Sequence, residues 1–200
     1  MDALEWVHYK NIPKHKRPTY ARYTVAFRPE KEEKWRVRIT AGGDKLKYDG
    51  VVTTQVASLE TFKILVNSTI STEGARMCTA DISNMYLNSD LPEPEYVKFP
   101  ANMVPTRIIT HYNLTNYIMH GYLYARINKC WYGLKQSGLI AHNDLTELLK
   151  SHGYVKSTTT KGLFTHTKRN IAFILVVDDF AIKYTNKEDA EHLFTCLRSK

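Results

Sequence analysis

The chain contains no apolar run long enough to cross a bilayer. Its longest unbroken run is seven residues, Ile171 to Val177, against the roughly 18 or more that a membrane span requires. The first 30 residues hold no apolar stretch of the secretory kind, so no signal peptide and no membrane partner are expected. Cysteine is scarce: Cys78, Cys130 and Cys196 are widely separated and form no CxxC pair. That excludes a disulfide framework and a cysteine-based zinc site. It suits a reducing, intracellular setting, cytoplasmic or nuclear. Internal repeats and low-complexity tracts are also missing. What is present is enough apolar material for a real core, with 43% hydrophobic and 12% aromatic residues in a chain of 200. This fits one or two compact units and excludes wholesale disorder.

Acid is in deficit. Lys and Arg number 28 against 20 Asp and Glu, a net charge of +8. The excess is concentrated in residues 1–50 and 101–170, whereas residues 71–100 and 171–200 are net acidic. No acid occurs from Trp6 to Pro29, where Lys10, Lys14, Lys16, Arg17, Arg22 and Arg28 alternate with Tyr9, Tyr20, Tyr23 and Phe27. Cations interleaved with aromatics suit a phosphate backbone with stacked bases. A solvated basic arm is the competing reading.

Residues 1–33 read as an irregular basic arm, because Pro13, Pro18 and Pro29 break any long helix. Residues 34–200 form the core. Trp35 to Thr40 alternates as a half-exposed strand, ending at Gly42-Gly43. Val56, Leu59, Phe62, Val66 and Ile70 fall at helical spacing, with Gly74 as a stop. Arg76–Ile82 reads as a short buried strand and Tyr96–Phe99 as an edge strand between prolines. Residues 101–120 show no clear period. Tyr122–Ile127 alternates again, and Ser137–His152 predicts a second amphipathic helix closed by Gly153. Leu163–Thr167 and Ile171–Val177 predict a hairpin, Phe180–Tyr184 a further strand, and Asn186 the N-cap of a last helix. The pattern implies an α+β fold: an antiparallel sheet with helices packed on one face, and no linker between autonomous domains.

Two acidic positions fit poorly with packing. Asp178-Asp179 lies between the apolar runs Phe173–Val177 and Phe180–Ile182. Adjacent anions there repel each other and resist desolvation unless a cation sits between them. A solvent-facing hairpin turn is the alternative. Asp81 closes the other short strand, where the alternative is a helix N-cap near Asn84. If these strands are neighbours, the three carboxylates converge at their tips. Oxygen ligands of that kind suit two Mg²⁺ ions, or Mn²⁺ in their place, for in-line phosphoryl transfer.

Four segments, Arg36-Val-Arg38-Ile-Thr-Ala-Gly, Asp81-Ile-Ser-Asn-Met-Tyr86, Tyr132-Gly-Leu-Lys-Gln136-Ser and Val176-Val-Asp178-Asp179, together and in this order resemble motifs of copia-type LTR retrotransposon reverse transcriptases. Asp81-Ile-Ser-Asn-Met-Tyr86 is similar to the first palm motif, and Tyr132-Gly-Leu-Lys-Gln136-Ser to the "YGLKQS" segment. Val176-Val-Asp178-Asp179 is similar to the "YVDD" box, and Arg36-Val-Arg38-Ile-Thr-Ala-Gly to a fingers segment. The resemblance implies a palm-and-fingers polymerase core that adds deoxynucleotides to a primer 3′-hydroxyl on an RNA or DNA template. It assigns Asp81, Asp178 and Asp179 to the metal ions and to catalysis. Tyr86 would lie under the incoming sugar and Gln136 would position nucleotide or template, with Arg38 and Arg36 at the triphosphate. Val176 departs from the family's aromatic, and Cys130 and Trp131 replace smaller or aliphatic residues. The matched portion ends within the last palm helix, so thumb and RNase H segments lie outside it. Two further readings compete: an inactive retroelement remnant that binds nucleic acid non-specifically, and a two-metal nuclease. The nuclease leaves Tyr86, Gln136 and Arg38 without a role.

Overall fold

A computed structural model describes residues 3–199. In chain order the strands and helices are β1 (Leu4–Val7), β2 (Thr19–Phe27), β3 (Trp35–Ala41), α1 (Leu59–Ile70), β4 (Arg76–Asp81), β5 (Asp90–Pro100), α2 (Thr106–His111), β6 (Tyr122–Lys129), α3 (Ser137–Ser151), β7 (Tyr154–Lys156), β8 (Leu163–His166), β9 (Ile171–Val176), β10 (Asp179–Tyr184) and α4 (Lys187–Arg198). No helix among the described residues is long and apolar enough to cross a membrane.

The chain forms two compact units, each discontinuous in sequence: Met1–Val52 with Tyr86–Ser137, and Thr53–Met85 with Gly138–Lys200. The chain passes between the units three times. Each unit is built on its own five-stranded sheet, which corrects the expectation of a single one.

The first unit has strand order β1-β6-β5-β2-β3. Its pairings are antiparallel except for the short parallel contact of Thr19 and Tyr20 with Val97 and Lys98. The irregular arm is corrected here, since residues 4–7 and 19–27 are strands of this sheet. The run Thr19–Phe27 is rich in β-branched and aromatic residues, and Pro18 and Pro29 bound it rather than break it. Likewise β5 is central and not an edge. Pro92 and Pro94 are accommodated because the register with β6 shifts between Asp90 and Glu95, and prolines enter sheets at such irregularities. Val97, Leu123, Ala125 and Ile127 are fully buried at the centre.

The segments around Gly42-Gly43 and Gly133 meet backbone to backbone. The Ala41 amide donates to the Tyr132 carbonyl at 2.8 Å. Gly133 has φ +96° and faces the Ala41 carbonyl so closely that a Cβ has no room. Glycine supplies both the left-handed conformation and the close approach.

The second unit has order β4-β10-β9-β8-β7, all antiparallel. Side chains of β9 and β10 alternate between two covered faces. Ile174 and Ala181 pack with Leu65 of α1. On the other face Phe173 contacts Phe164 (5.1 Å), Phe180 (5.3 Å) and Tyr154, and Tyr154 reaches His192 of α4. Helices therefore lie on both faces, not one. The unbroken apolar run of β9 is the sequence mark of a strand buried on both sides. By contrast β4 is an edge strand with Arg76, Thr79 and Asp81 exposed, so the buried strand is also corrected.

α1 starts at Ser58, whose hydroxyl accepts from the Thr61 amide at 3.2 Å. Lys183 of β10 ties the helix down, donating to the Ser68 hydroxyl (2.7 Å), the Ser68 carbonyl (3.0 Å) and the Thr72 hydroxyl (2.8 Å). α4 follows Asn186 as expected, although the Asn186 side chain makes no capping bond.

Candidate active site

The strands carrying the three candidate carboxylates are neighbours in the second unit. Asp179, the first residue of β10, is registered directly opposite Asp81, the last residue of β4. Residues directly opposite on an antiparallel pair share a face, with Cβ atoms about 4.5–5.5 Å apart. Both carboxylates are exposed, and both line an open groove of about 720 Å³ with Ser58 and Phe62 of the α1 segment. Among the described residues neither has an ion-pair partner or a side-chain hydrogen bond. Like charges directly opposite each other destabilise a sheet, so the ladder alone does not explain this pair.

Asp178 occupies the hairpin loop between β9 and β10, which consists of Val177 and Asp178 alone. Its carbonyl accepts from the Ile82 amide at 3.1 Å, pinning the loop to the end of β4. The hairpin-turn reading of this residue is thus correct as local structure, and the turn brings it beside the paired acids. The three side chains are not gathered into one ready-made cluster. No group of three or more His, Cys, Asp or Glu able to hold a metal occurs among the described residues. The expected three-way convergence is reduced to a facing pair with Asp178 at its flank.

The turn is strained. Val177 has φ +61°, a left-handed conformation that costs an L-residue about 1–2 kcal/mol and is an outlier for a β-branched side chain. Two-residue hairpin loops with positive φ at the first position normally place glycine there. Such strain is concentrated at functional sites, where the surroundings hold it. Sequence reasoning missed Val177, because nothing in the run Phe173–Val177 marks where the strand ends and the reversal begins.

The four nucleotide-binding candidates belong to the first unit. Arg36 and Arg38 are exposed on one face of β3, opposite Ala26 and Thr24. Neither pairs with an acid among the described residues. The Tyr86 ring packs against Tyr132 in a tilted arrangement, with ring centroids 4.5 Å apart. Gln136 is buried, yet its side-chain amide makes no hydrogen bond among the described residues. Its neighbour Ser137 takes the Trp131 amide at 2.9 Å, which fixes the backbone around it. The Gln136 amide is not among the fully buried unpaired polar groups, so the small exposed part of the residue leaves it open to solvent.

The carboxylate pair suits a divalent cation. Mg²⁺ is typically held by one or two carboxylates together with substrate phosphates, and not by an all-protein cage.

Comparison with known families gives a match over nearly the whole chain. The model of the family described as "Reverse transcriptase (RNA-dependent DNA polymerase)" matches residues 5–200. That span includes both five-stranded sheets, the facing acids and all four nucleotide-binding candidates, and the chain belongs to the reverse transcriptase family.

Proposed function

We propose that the chain carries the palm and fingers of a copia-type retrotransposon reverse transcriptase, performing nucleotidyl transfer at Asp81, Asp178 and Asp179. The observation that carries this reading is the in-register pairing of Asp81 with Asp179 at the mouth of an open groove. Asp81 and Asp179 would hold Mg²⁺ in company with the substrate phosphates, with Asp178 at the hairpin loop as the third carboxylate. When bound, such ions (two, with Mn²⁺ as a substitute) would supply activation of the primer hydroxyl and stabilisation of the leaving pyrophosphate.

The chain's own residues do the positioning. Arg38, with Arg36 beside it on the same strand face, neutralises the triphosphate. The Tyr86 ring, braced by Tyr132, excludes a 2′-hydroxyl and so favours deoxynucleotides. Gln136 offers its unpaired amide to nucleotide or template. The net charge of +8 supplies the sequence-independent attraction to primer and template.

The test is extension of a DNA primer on an RNA template by the purified chain at low salt. Extension that requires deoxynucleotides and Mg²⁺ or Mn²⁺ supports the proposal. Salt-sensitive nucleic-acid binding without extension supports the remnant instead, and cleavage without nucleotides supports a nuclease.

A further inference from the structure

The interleaving of cations and apolar residues in β2 and β3 has a consequence separate from polymerase chemistry. On paired strands, alternation sends the two kinds of side chain to opposite faces. In the first unit Tyr23, Val25 and Phe27 lie across from Ile39, Val37 and Trp35, making three apolar cross-strand pairs on one face. On the other face Arg22, Thr24 and Ala26 lie across from Thr40, Arg38 and Arg36.

The outer part of this hairpin is uncovered on both faces. Trp35 is 66% exposed, Val25 61%, Val37 59% and Phe27 55%. A two-stranded ribbon without a third strand is marginal in water. β3 is also the last strand of its sheet. Among the described residues, its one backbone bond to another segment at the free edge is at its end, where the Ala41 amide meets Tyr132. Trp35–Thr40 therefore presents about 20 Å of unpaired edge.

We propose that this edge accepts a third strand from a protein partner: an extended segment of about six residues that alternates apolar and acidic side chains. Its backbone would complete the ladder along Trp35–Thr40, as in strand addition to an exposed sheet edge. Its apolar side chains would extend the Trp35, Val37 and Ile39 face, and its carboxylates would meet Arg36 and Arg38. Charge complementarity selects this occupant. A second copy pairing through the same edge sets arginine against arginine, which is destabilising across a ladder. A nucleic acid has charge to offer the arginine face but no peptide groups for the edge and no aliphatic side chains for the apolar face. The added strand uses the same two arginines as the triphosphate in the reading above, so the two ligands exclude each other. Binding itself does not depend on that reading and is measured without nucleotides.

The experiment is fluorescence anisotropy with a labelled octapeptide alternating valine and glutamate. Its controls are a peptide of the same composition with valines and glutamates in two blocks, and the alternating peptide N-methylated at every second residue. The expected result is at least tenfold tighter binding of the alternating peptide than of either control. In the R36E/R38E protein, whose changes are both at exposed positions, preference should switch to a peptide alternating valine and lysine. Equal binding of the blocked peptide, tolerance of N-methylation, or an unchanged preference in R36E/R38E would overturn the proposal. So would a single-stranded oligonucleotide that binds through Trp35 while the alternating peptide does not.

Discussion

Val176 and Val177 form a matched pair for measuring the strain in the hairpin that carries the acids. They are adjacent, chemically identical and both 38% exposed. They differ in backbone and in strand packing, since Val176 ends β9 in register with Asp179 whereas Val177 has φ +61°. Replacing either by glycine adds about 0.5–1 kcal/mol of conformational entropy to the unfolded chain. At Val176 that cost stands, with lost strand packing on top, for a total of about 1–2 kcal/mol. At Val177 glycine removes a left-handed penalty of about 1–2 kcal/mol, so the net change is near zero or stabilising. The two variants should therefore differ by about 2 kcal/mol. In a chain of this size that is roughly 4–8 °C in Tm, readable by circular dichroism or urea denaturation. If V177G destabilises as much as V176G, the reasoning about this turn is wrong.

Three further outcomes follow from the packing. K183M removes three hydrogen bonds from an ammonium group to Ser68 and Thr72 and should cost about 1–3 kcal/mol in urea denaturation, with amide exchange in α1 accelerated most. G133A forces a side chain into the Ala41 carbonyl at φ +96° and should destabilise the first unit by roughly 2 kcal/mol or more. In that variant, hydrogen exchange should rise around Ala41 and Tyr132. His142 is buried with its Nε2 unpaired among the described residues. Burial, and then the Lys156 charge, hold its pKa below the ordinary 6.5. The unfolded chain takes up a proton there that the fold resists, so stability is full above about pH 6.5 and falls as pH drops below it. H142M should flatten the difference between urea midpoints at pH 7.5 and 5.5. It should not abolish it, because His192 is shifted the same way, by burial first and then by Arg169, His166 and His152.

The elements that were legible in the sequence are those specified locally. The spacing of Leu59, Phe62, Val66 and Ile70 announces α1, and Leu163–Thr167 with Ile171–Val177 announces the hairpin of β8 and β9, because period and turn chemistry lie within one short window. The strand β2 was hidden by its prolines, which read as breakers when they are its boundaries. The central place of β5 depends on a register shift against β6 that no local pattern carries. The meeting of Ala41 with Tyr132 joins segments about 90 residues apart, and glycine alone does not say which backbone it approaches. At the candidate site, Asp81, Asp178 and Asp179 stood out because acids beside apolar strands need a reason. Their order across the ladder, with Asp179 and not Asp178 facing Asp81, follows from which residues form the loop. Val177 and Lys183 were invisible, since a positive φ and a helix-tethering ammonium leave no mark on composition or spacing.

The central claim is that the facing acids are placed for catalysis at the expense of the fold. Single-turnover addition of one deoxynucleotide to a primer on an RNA template, measured with D81N, D178N and D179N beside the unaltered chain, tests it most directly when Tm is recorded on the same samples. The account predicts that D81N and D179N lower the rate at least about 100-fold while Tm holds or rises, because each removes one member of a like-charged pair. Extension that survives both substitutions, or a rate loss that merely follows a fall in Tm, would contradict it.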